Sequence, residues 1–344
     1  MPSQSQPEPL DSKLRAQIFE APDDLEARAV YSDWLADRGD PRGELISLQL
    51  SELRGTATGK DKARARKLIK AHLRTWLGPL GEVFRHLELR GGFLDRAELG
   101  PAGLAPHSTW VRAAQSLELS TLRTLDLGEG TAANYARFLF SPQLHALRKA
   151  TIPNLDVLTT LLGGSPRPWQ HLGLRRIPFA RDVAAAQWKV LLPQLHTVDV
   201  DLPLLPAGHD WALDRLRHNG MIATVRTLRL FLETPPHEEE VSPRAVVDRL
   251  LLPGDLEAVE LRRDRVSLRL EKKGRRILAR LVDVSGQLAM GLLQRLPRLD
   301  ALEVRLPEAL AANVEQLAPL AELAAPDPKL HFEPREALTR YLTP

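Results

Sequence analysis

The chain has 344 residues, of which 43% are hydrophobic and 26% charged, and its formal net charge is +3. This composition is typical of a folded protein with more than one compact part, and the absence of cysteine excludes disulfide bonds, thiolate catalysis and cysteine-ligated zinc. No apolar run approaches the roughly 20 residues of a membrane-spanning helix, and the polar start lacks the apolar core of a secretory signal, so we expect a cytoplasmic protein.

The first predicted elements are short helices that follow a polar tail at residues 1–10. Asp23 and Asp24 can cap a helix in which Tyr31 and Trp34 belong to an apolar stripe with helical spacing. Gly39 ends that helix, and Asp40-Pro41 begins the next one, with proline in the first turn. The sequence therefore predicts a small all-α module.

One group of residues in this module carries a family resemblance. They are Pro22, Asp23, Asp24, Arg28, Tyr31, Asp33, Trp34, Leu35, Arg38, Gly39, Asp40, Pro41, Arg42, Gly43, Glu44 and Leu48. With them, residues 10–54 resemble the bacterial repeat-companion domain, a short module found ahead of leucine-rich-like repeat arrays. The resemblance implies no activity, only association with a repeat scaffold. We expect the charged residues of the motif to fix the helix–turn–helix geometry by capping and ion pairing.

A basic helix is predicted next. Residues 60–77 hold seven Lys/Arg against one Asp, and Leu68, Leu73 and Trp76 form part of one apolar stripe. The apolar stripe can cap the first repeat, as terminal repeats require, or the cations can face nucleic acid or lipid. A second basic segment, residues 262–280, holds nine Lys/Arg against two acidic residues.

Nine hexapeptides of the form apolar-x-x-apolar-x-apolar follow. They are FRHLEL at 84, LRTLDL at 122, LRKATI at 147, WQHLGL at 169, LHTVDV at 195, VRTLRL at 225, LEAVEL at 256, LDALEV at 299 and LAELAA at 320. This is the strand core of a leucine-rich repeat, here with uneven spacing and no asparagine ladder. We predict an α/β fold: a leucine-rich-repeat-like solenoid with short parallel strands, preceded by the small all-α module. The expected parts are a module at 1–58, a basic capping helix at 59–82, the array at 83–330 and a tail at 331–344.

The third, fifth and seventh positions of each hexapeptide should form the concave face, because strand side chains alternate. The candidate binding residues on it are Glu88, Arg90, Asp126, Arg175, Asp199, Asp201, Arg229, Phe231, Glu260, Arg262, Glu303 and Arg305. Three copies share a Glu-x-Arg pair, which either neutralises itself or binds a partner of mixed charge.

A β-hairpin is predicted near residues 262–284, inside the longest gap between hexapeptides. Val266, Leu268 and Leu270 alternate with polar residues before the turn signal Lys272-Lys273-Gly274. Its candidate binding residues form a basic ridge of Arg265, Arg269, Lys272, Lys273 and Arg276. Residues 91–99 predict a similar excursion in the first gap.

Catalytic motifs are missing. There is no glycine-rich phosphate loop and no nucleophile elbow, and His237–Glu240 is better explained as a solvated loop than as a metal site. We therefore predict no enzyme, metal or cofactor, but a protein-binding scaffold or adaptor that uses the concave face. The alternative is nucleic-acid binding through residues 60–77 and 262–280. An enzyme ranks third and requires a closed pocket that joins Asp199, Asp201 and a histidine.

Overall fold

A computed structural model describes the greater part of the chain. The described residues are 9–101, 104–128, 132–139, 141–152, 166–175, 185–202, 213–214, 216–218, 220, 222–232, 243–252, 255–263, 265–285 and 292–342. The chain divides into two compact units, residues 1–164 and 165–344.

The first unit begins with the predicted all-α module. Its helices are α1 (Pro9–Glu20), α2 (Leu25–Ala36), α3 (Pro41–Leu53) and α4 (Gly59–Leu77), and a short α5 (Leu80–Val83) follows. Of the two predicted caps of α2, Asp24 is the N-cap, and its carboxylate accepts the backbone N–H groups of Glu26 and Ala27. Asp40 is the N-cap of α3 and accepts the N–H of Arg42. Thr58 and Asp61 form a capping box that begins α4.

The helices α2 and α3 pack very closely at Gly43. A Cβ on Gly43 would lie 2.7 Å from the carbonyl oxygen of Ser32, and the Ser32 hydroxyl donates a 2.8 Å hydrogen bond to the carbonyl of Gly43. Only glycine allows this approach. Ile18, Tyr31 and Ile46 form the buried centre of the module.

Four strands follow among the described residues of the first unit. They are β1 (Phe84–Arg90), β2 (Phe93–Leu99), β3 (Thr124–Asp126) and β4 (Lys149–Ile152), accompanied by the helices α6 (His107–Ala114) and α7 (Ala132–Leu139). The excursion predicted at residues 91–99 is a hairpin, since β2 pairs antiparallel with β1 and then parallel with β3. β3 and β4 are parallel.

The second unit contains eight strands among its described residues. They are β5 (His171–Leu174), β6 (Thr197–Leu202), β7 (Thr227–Leu232), β8 (Ala258–Arg263), β9 (Val266–Lys273), β10 (Arg276–Asp283), β11 (Ala301–Pro307) and β12 (Lys329–Glu333). Neighbours in sequence are neighbours in the sheet. All neighbouring pairs are parallel except β8 with β9 and β9 with β10, which are antiparallel, so the predicted inserted hairpin is confirmed.

Helical segments connect the strands of the second unit. They include the α-helices α8 (Ala185–Leu191), α9 (Pro243–Val246), α10 (Val314–Ala324) and α11 (Arg335–Thr339), and 3-10 helices at Ile222–Thr224 and Glu308–Asn313. α9 continues as a turn of π-helix at Val247–Leu251. None of the helices within the described residues is long and apolar enough to cross a membrane.

Eight of the nine hexapeptides contain a strand, and in seven of these the strand begins at the third position. The exception is FRHLEL, where β1 begins at Phe84 and is antiparallel, so our prediction of a parallel strand there was wrong. Our prediction of a strand at LAELAA was also wrong, because its first five residues lie in α10 and the sixth follows that helix. Its Ala, Leu and Glu residues favour helix, and it has no β-branched side chain. The strand in this region is instead β12, which overlaps the expected C-terminal tail.

A repeated hydrogen bond joins successive copies. The backbone carbonyl at the second position of one hexapeptide accepts the N–H groups at the second and third positions of the following hexapeptide. The carbonyl of Gln170, for example, accepts from the N–H groups of His196 and Thr197. The His196 carbonyl accepts in the same way from Arg226 and Thr227. This contact explains why the strands begin at the third position. The fourth and sixth positions then point into the core, where Val198, Val200, Leu228 and Leu230 are all 0% exposed.

Candidate functional site: the polar face of the second unit

The sheet of the second unit has an apolar side and a charged side. Strand alternation places the third, fifth and seventh hexapeptide positions opposite the core. The register aligns one residue from each strand in a central row: Gly173, Asp199, Arg229, Glu260, Arg269, Arg280, Glu303 and Lys329. We call this row, together with its polar neighbours on the same side of β5–β12, the polar face.

Glu260 is the centre of a charge network on this face. It is only 4% exposed. One of its oxygens accepts hydrogen bonds from the Nε of Arg262 (2.6 Å) and from the hydroxyl of Ser267 (2.8 Å). The other oxygen lies 3.1 Å from the Nε of Arg229 and 3.9 Å from Nη1 of Arg269. A buried carboxylate needs such partners, because an unpaired charge would be costly here.

The network extends to Asp199 on β6. The Nη1 of Arg229 lies 4.0 Å from Asp199 Oδ1, and the Nε2 of His171 lies 2.6 Å from the same oxygen. An enzyme was expected to require a pocket that joins Asp199, Asp201 and a histidine. The structure brings one of these pairs together, Asp199 with His171. Asp201 lies two residues further along β6, where its register partner is Phe231.

A second charge cluster surrounds Glu303 on β11. Its carboxylate pairs with Arg305, with Arg280 at 3.2 Å and with His331 at 3.8 Å. Burial would raise the pKa of Glu303, but hydrogen bonds from Arg305 and Arg280 hold that pKa below its ordinary value. Glu271 on β9 behaves alike, because a 2.5 Å hydrogen bond from Arg269 lowers its pKa.

A cavity of about 230 Å³ opens between these clusters. Leu278, Ala279, Ala301 and Leu302 give it an apolar floor. The charged residues around it are Arg269, Glu271, Lys273, Arg280, Glu303, Asp327 and Lys329. Cations and carboxylates both line the cavity together with apolar side chains, so the site suits a partner group that has both an apolar part and a charge.

The segment after β12 folds back onto the polar face. Leu338 of α11 is 0% exposed and packs with Val282 and Val284. Val282 is in register with Arg305 and thus belongs to the polar side of the sheet. The Nη1 of Arg305 donates a 2.7 Å hydrogen bond to the hydroxyl of Tyr341, and Arg262 donates one of 3.2 Å to the carbonyl of Leu342.

The predicted binding residues of the second unit mostly meet on this face. The Glu-x-Arg pairs at 260/262 and 303/305 each form an ion pair within the strand, so these two pairs neutralise themselves. Phe231 is half-buried, with the Arg262 guanidinium 5.9 Å from its ring centre. Arg175 is half-buried just beyond β5.

The basic ridge does not form as one surface. Arg269 is held by Glu271, and the Nζ of Lys272 donates a 2.8 Å hydrogen bond to the carbonyl of Leu251, outside the strand face that carries Arg269. Alternation along β9 explains the split, since Lys272 must point away from its neighbours Glu271 and Lys273. Arg265, Lys273 and Arg276 are exposed.

The predicted binding residues of the first unit have other surroundings. Glu88 and Arg90 are exposed on β1. Asp126 accepts a 2.9 Å hydrogen bond from the backbone N–H of Gly128 at the end of β3. The third Glu-x-Arg pair thus belongs to an antiparallel hairpin, and not to a row of parallel strands.

Sequence reasoning missed the role of the module's buried polar residues. Arg28 donates hydrogen bonds to the carbonyls of Arg90 and Gly91, and burial lowers its pKa to about 10. The Nε of Arg42 bonds the carbonyl of Gly92 at 3.2 Å. Gln49 both donates to the carbonyl of Leu89 (2.9 Å) and accepts from the N–H of Gly92 (2.7 Å).

The sequence predicted only that the charged residues of the motif fix the helix–turn–helix geometry. In the structure, these buried polar residues also hold the turn of the β1–β2 hairpin. The Gly91-Gly92 pair was the available signal, because two adjacent glycines with positive φ permit a turn that buried side chains can approach closely.

No group of three or more His, Asp or Glu residues that could hold a metal occurs in the described part of the chain. His237–Glu240 lies outside the described residues. No family model, no curated protein and no solved structure matches this chain.

Proposed function

We propose that the chain is a non-enzymatic, protein-binding scaffold or adaptor, and that its binding surface is the polar face of the second unit. The observation that carries this proposal is that the face already holds a peptide segment. Leu338 is fully buried on Val282 and Val284, and Arg305 and Arg262 bond the segment's Tyr341 and Leu342. An apolar anchor with polar contacts around it is the usual anatomy of a protein interface.

The cavity beside this segment offers room for a partner. Its volume of about 230 Å³ is below the roughly 300–1,000 Å³ of typical small-molecule sites. A cavity of this size fits one or two side chains of a protein better than a cofactor. Lys273 and Lys329 are exposed at its rim, where charges favour the encounter with a partner.

The charge network supports the same proposal by fixing the side chains around the cavity. Arg269 is bonded to Glu271, and Arg280 to Glu303. A partner that binds here does not have to immobilise these long side chains, so less conformational entropy is lost on binding. In this proposal the strand–helix repeats form a leucine-rich-repeat-like solenoid, and the helical module acts as the companion domain that precedes it.

Affinity capture with matched variants tests the proposal. The full chain, immobilised through a terminal tag, is incubated with an extract of the cells that produce it, and bound proteins are identified by mass spectrometry. The double variant Lys273→Glu/Lys329→Glu reverses the rim charges. Ala301→Trp fills the cavity without any change of charge. We expect that the proteins captured by the wild type but not by the first variant are the same ones that the second variant fails to capture.

The control variant is Lys189→Glu/Arg217→Glu, which makes the same change of charge at exposed residues in helical segments, outside the strands that form the polar face. It should capture the same proteins as the wild type. The proposal fails if all four baits retain the same set, or if no protein is enriched on the wild-type bait over an unrelated protein.

A further inference from the structure

The helix α4 presents cations that the fold does not use. Of its seven Lys/Arg residues, Arg64 makes a two-pronged ion pair with Glu44 (2.7 Å for each hydrogen bond), and Lys62 pairs with Glu52 at 3.1 Å. The other five are Lys60, Arg66, Lys67, Lys70 and Arg74. All five are exposed, and in the described part of the chain none of them lies within ion-pair distance of a carboxylate.

Four of these five cations lie on one stripe of the helix. Lys60, Lys67 and Arg74 are separated by seven residues, or nearly two full turns, and Lys70 lies beside them. At about 1.5 Å per residue the stripe extends roughly 21 Å along the helix axis. The exposed residues between the cations, Ala63 and Ala71, are small. A flat, extended surface could therefore approach the stripe closely.

The opposite side of α4 is already occupied. Ala65 and Leu68 are buried against Leu45 of α3, and Trp76 packs on the same cluster. An amphipathic helix that binds a membrane needs its apolar side free to enter the lipid. α4 has no such free side, so its outer stripe suits a charged surface that lies outside a bilayer.

We propose that α4 binds the phosphate backbone of double-stranded nucleic acid without regard to base sequence. Duplexes carry phosphates at regular, short intervals over the length of this stripe, and Lys and Arg side chains on a helix provide most of such non-specific binding. The surface belongs to the first unit and is independent of the polar face. This inference therefore extends the proposed function and does not depend on it.

Fluorescence anisotropy with the full chain tests this inference. The probes are a fluorescein-labelled 25-base-pair DNA duplex of arbitrary sequence and an RNA duplex of the same sequence, in 25–200 mM NaCl. Contact with about four phosphates should give a slope of about −3.6 in log K against log salt for DNA. The variant Lys67→Gln/Lys70→Gln/Arg74→Gln should lose at least tenfold in affinity at 50 mM NaCl and reduce the slope by about 3.

The matched control Lys189→Gln/Arg217→Gln/Arg335→Gln removes three exposed cations elsewhere and should bind like the wild type. Binding of RNA alone or DNA alone identifies the duplex form that α4 accepts, and either result supports the inference. The inference is overturned if neither duplex binds at 25 mM NaCl, or if the α4 variant binds as tightly as the wild type. It is also overturned if vesicles with 30% phosphatidylserine bind and duplexes do not. The α4 variant should still capture the partners of the polar face, so the two proposals can fail separately.

Discussion

Arg42 and Glu118 form a buried, two-pronged ion pair across 76 residues of sequence. The Nη1 of Arg42 donates to Oε1 of Glu118 at 3.1 Å, and Nη2 donates to Oε2 at 3.0 Å. Burial by itself lowers the pKa of Arg42, but the charge and hydrogen bonds of Glu118 raise that pKa above its ordinary value. Arg15 adds a further hydrogen bond to Glu118 at 2.9 Å. Glu118 lies in a 3-10 helix at Leu117–Thr121, just before β3, so the pair joins the helical module to this later part of the first unit.

We predict that Arg42→Met destabilises the first unit by about 3–5 kcal/mol, because it leaves the Glu118 carboxylate buried with one cationic partner lost. Urea denaturation followed by tryptophan fluorescence measures this. The double variant Arg42→Met/Glu118→Leu, which removes both charges, should be more stable than the single one. Arg54→Met replaces an exposed arginine at the end of α3 and should change stability by about 0.5 kcal/mol or less. Equal effects of Arg42→Met and Arg54→Met would contradict the role given to the pair.

We predict that Gly92→Ala is more destabilising than a substitution at another glycine with similar backbone angles. Gly92 has φ +78°, and a Cβ there would lie 2.1 Å from Cγ1 of Ile46. Gly39 has φ +68°, and a Cβ there would meet nothing within 4 Å. Gly39→Ala should cost about 1–2 kcal/mol, the cost of a left-handed conformation. Gly92→Ala should cost about 1–3 kcal/mol more, because it also overpacks the core. Thermal unfolding that ranks the two variants equally would show that the hairpin turn is not held as described.

The apolar pattern of the sequence predicted much of the fold for a local reason. In the copies from Leu122 to Leu299 the fourth and sixth positions are buried, because alternation along a short strand fixes which side chains point inward. The same rule correctly brought Asp199, Arg229 and Glu260 to one face. It could not predict that they would lie in one row, since this depends on the register of neighbouring strands.

Contacts between distant segments were not predictable from local patterns. β12 alternates Leu330 and Phe332 with polar residues, but Asp327 stands where the hexapeptide has its first apolar residue, so the pattern missed it. LAELAA matched the hexapeptide pattern while its composition favoured a helix. The burial of Val282 under Leu338 depends on how the C-terminal segment folds back. For the same reason the pairing of Arg42 with Glu118, rather than with a residue of its own module, was missed.

We predict that the carboxylates of the polar face make stability dependent on acid pH. The pKa values of Glu271 and Glu303 lie below the ordinary value of 4.5 in the folded chain. Their stabilising contribution is therefore present above about pH 4.5 and is lost as the pH falls through the lowered folded-state values. Glu271→Gln/Glu303→Gln should lower stability at pH 7 by roughly 0.2–1 kcal/mol for each carboxylate.

The measurement is the thermal midpoint between pH 7 and pH 3. The difference between the double variant and the wild type should shrink as the pH falls. Glu322→Gln, at an exposed position on α10, should differ from the wild type by the same small amount throughout. A difference for the double variant that stays constant over this range would rule out the ion-pair explanation.

We predict that Leu338→Ala releases the C-terminal segment from the polar face. Removal of a fully buried leucine side chain costs about 2–5 kcal/mol. Because the affected contacts are local, amide hydrogen exchange in residues 335–342 should speed up more than exchange in β6–β8. Leu323→Ala changes a leucine that is 79% exposed and should leave exchange in this segment unaltered. Unchanged exchange in Leu338→Ala would contradict the packing of this segment on the sheet.

The central claim is that proteins bind to the polar face, and site-specific photo-crosslinking in the producing cells tests it most directly. A photoreactive amino acid replaces Lys273 or Lys329 at the rim of the cavity, and in the control chains it replaces Lys189 or Leu323, which are exposed elsewhere. The proposal predicts discrete crosslinked products of the same partner from both rim positions and none of these products from the controls. Rim positions that give no product, or the same products as the controls, would contradict it.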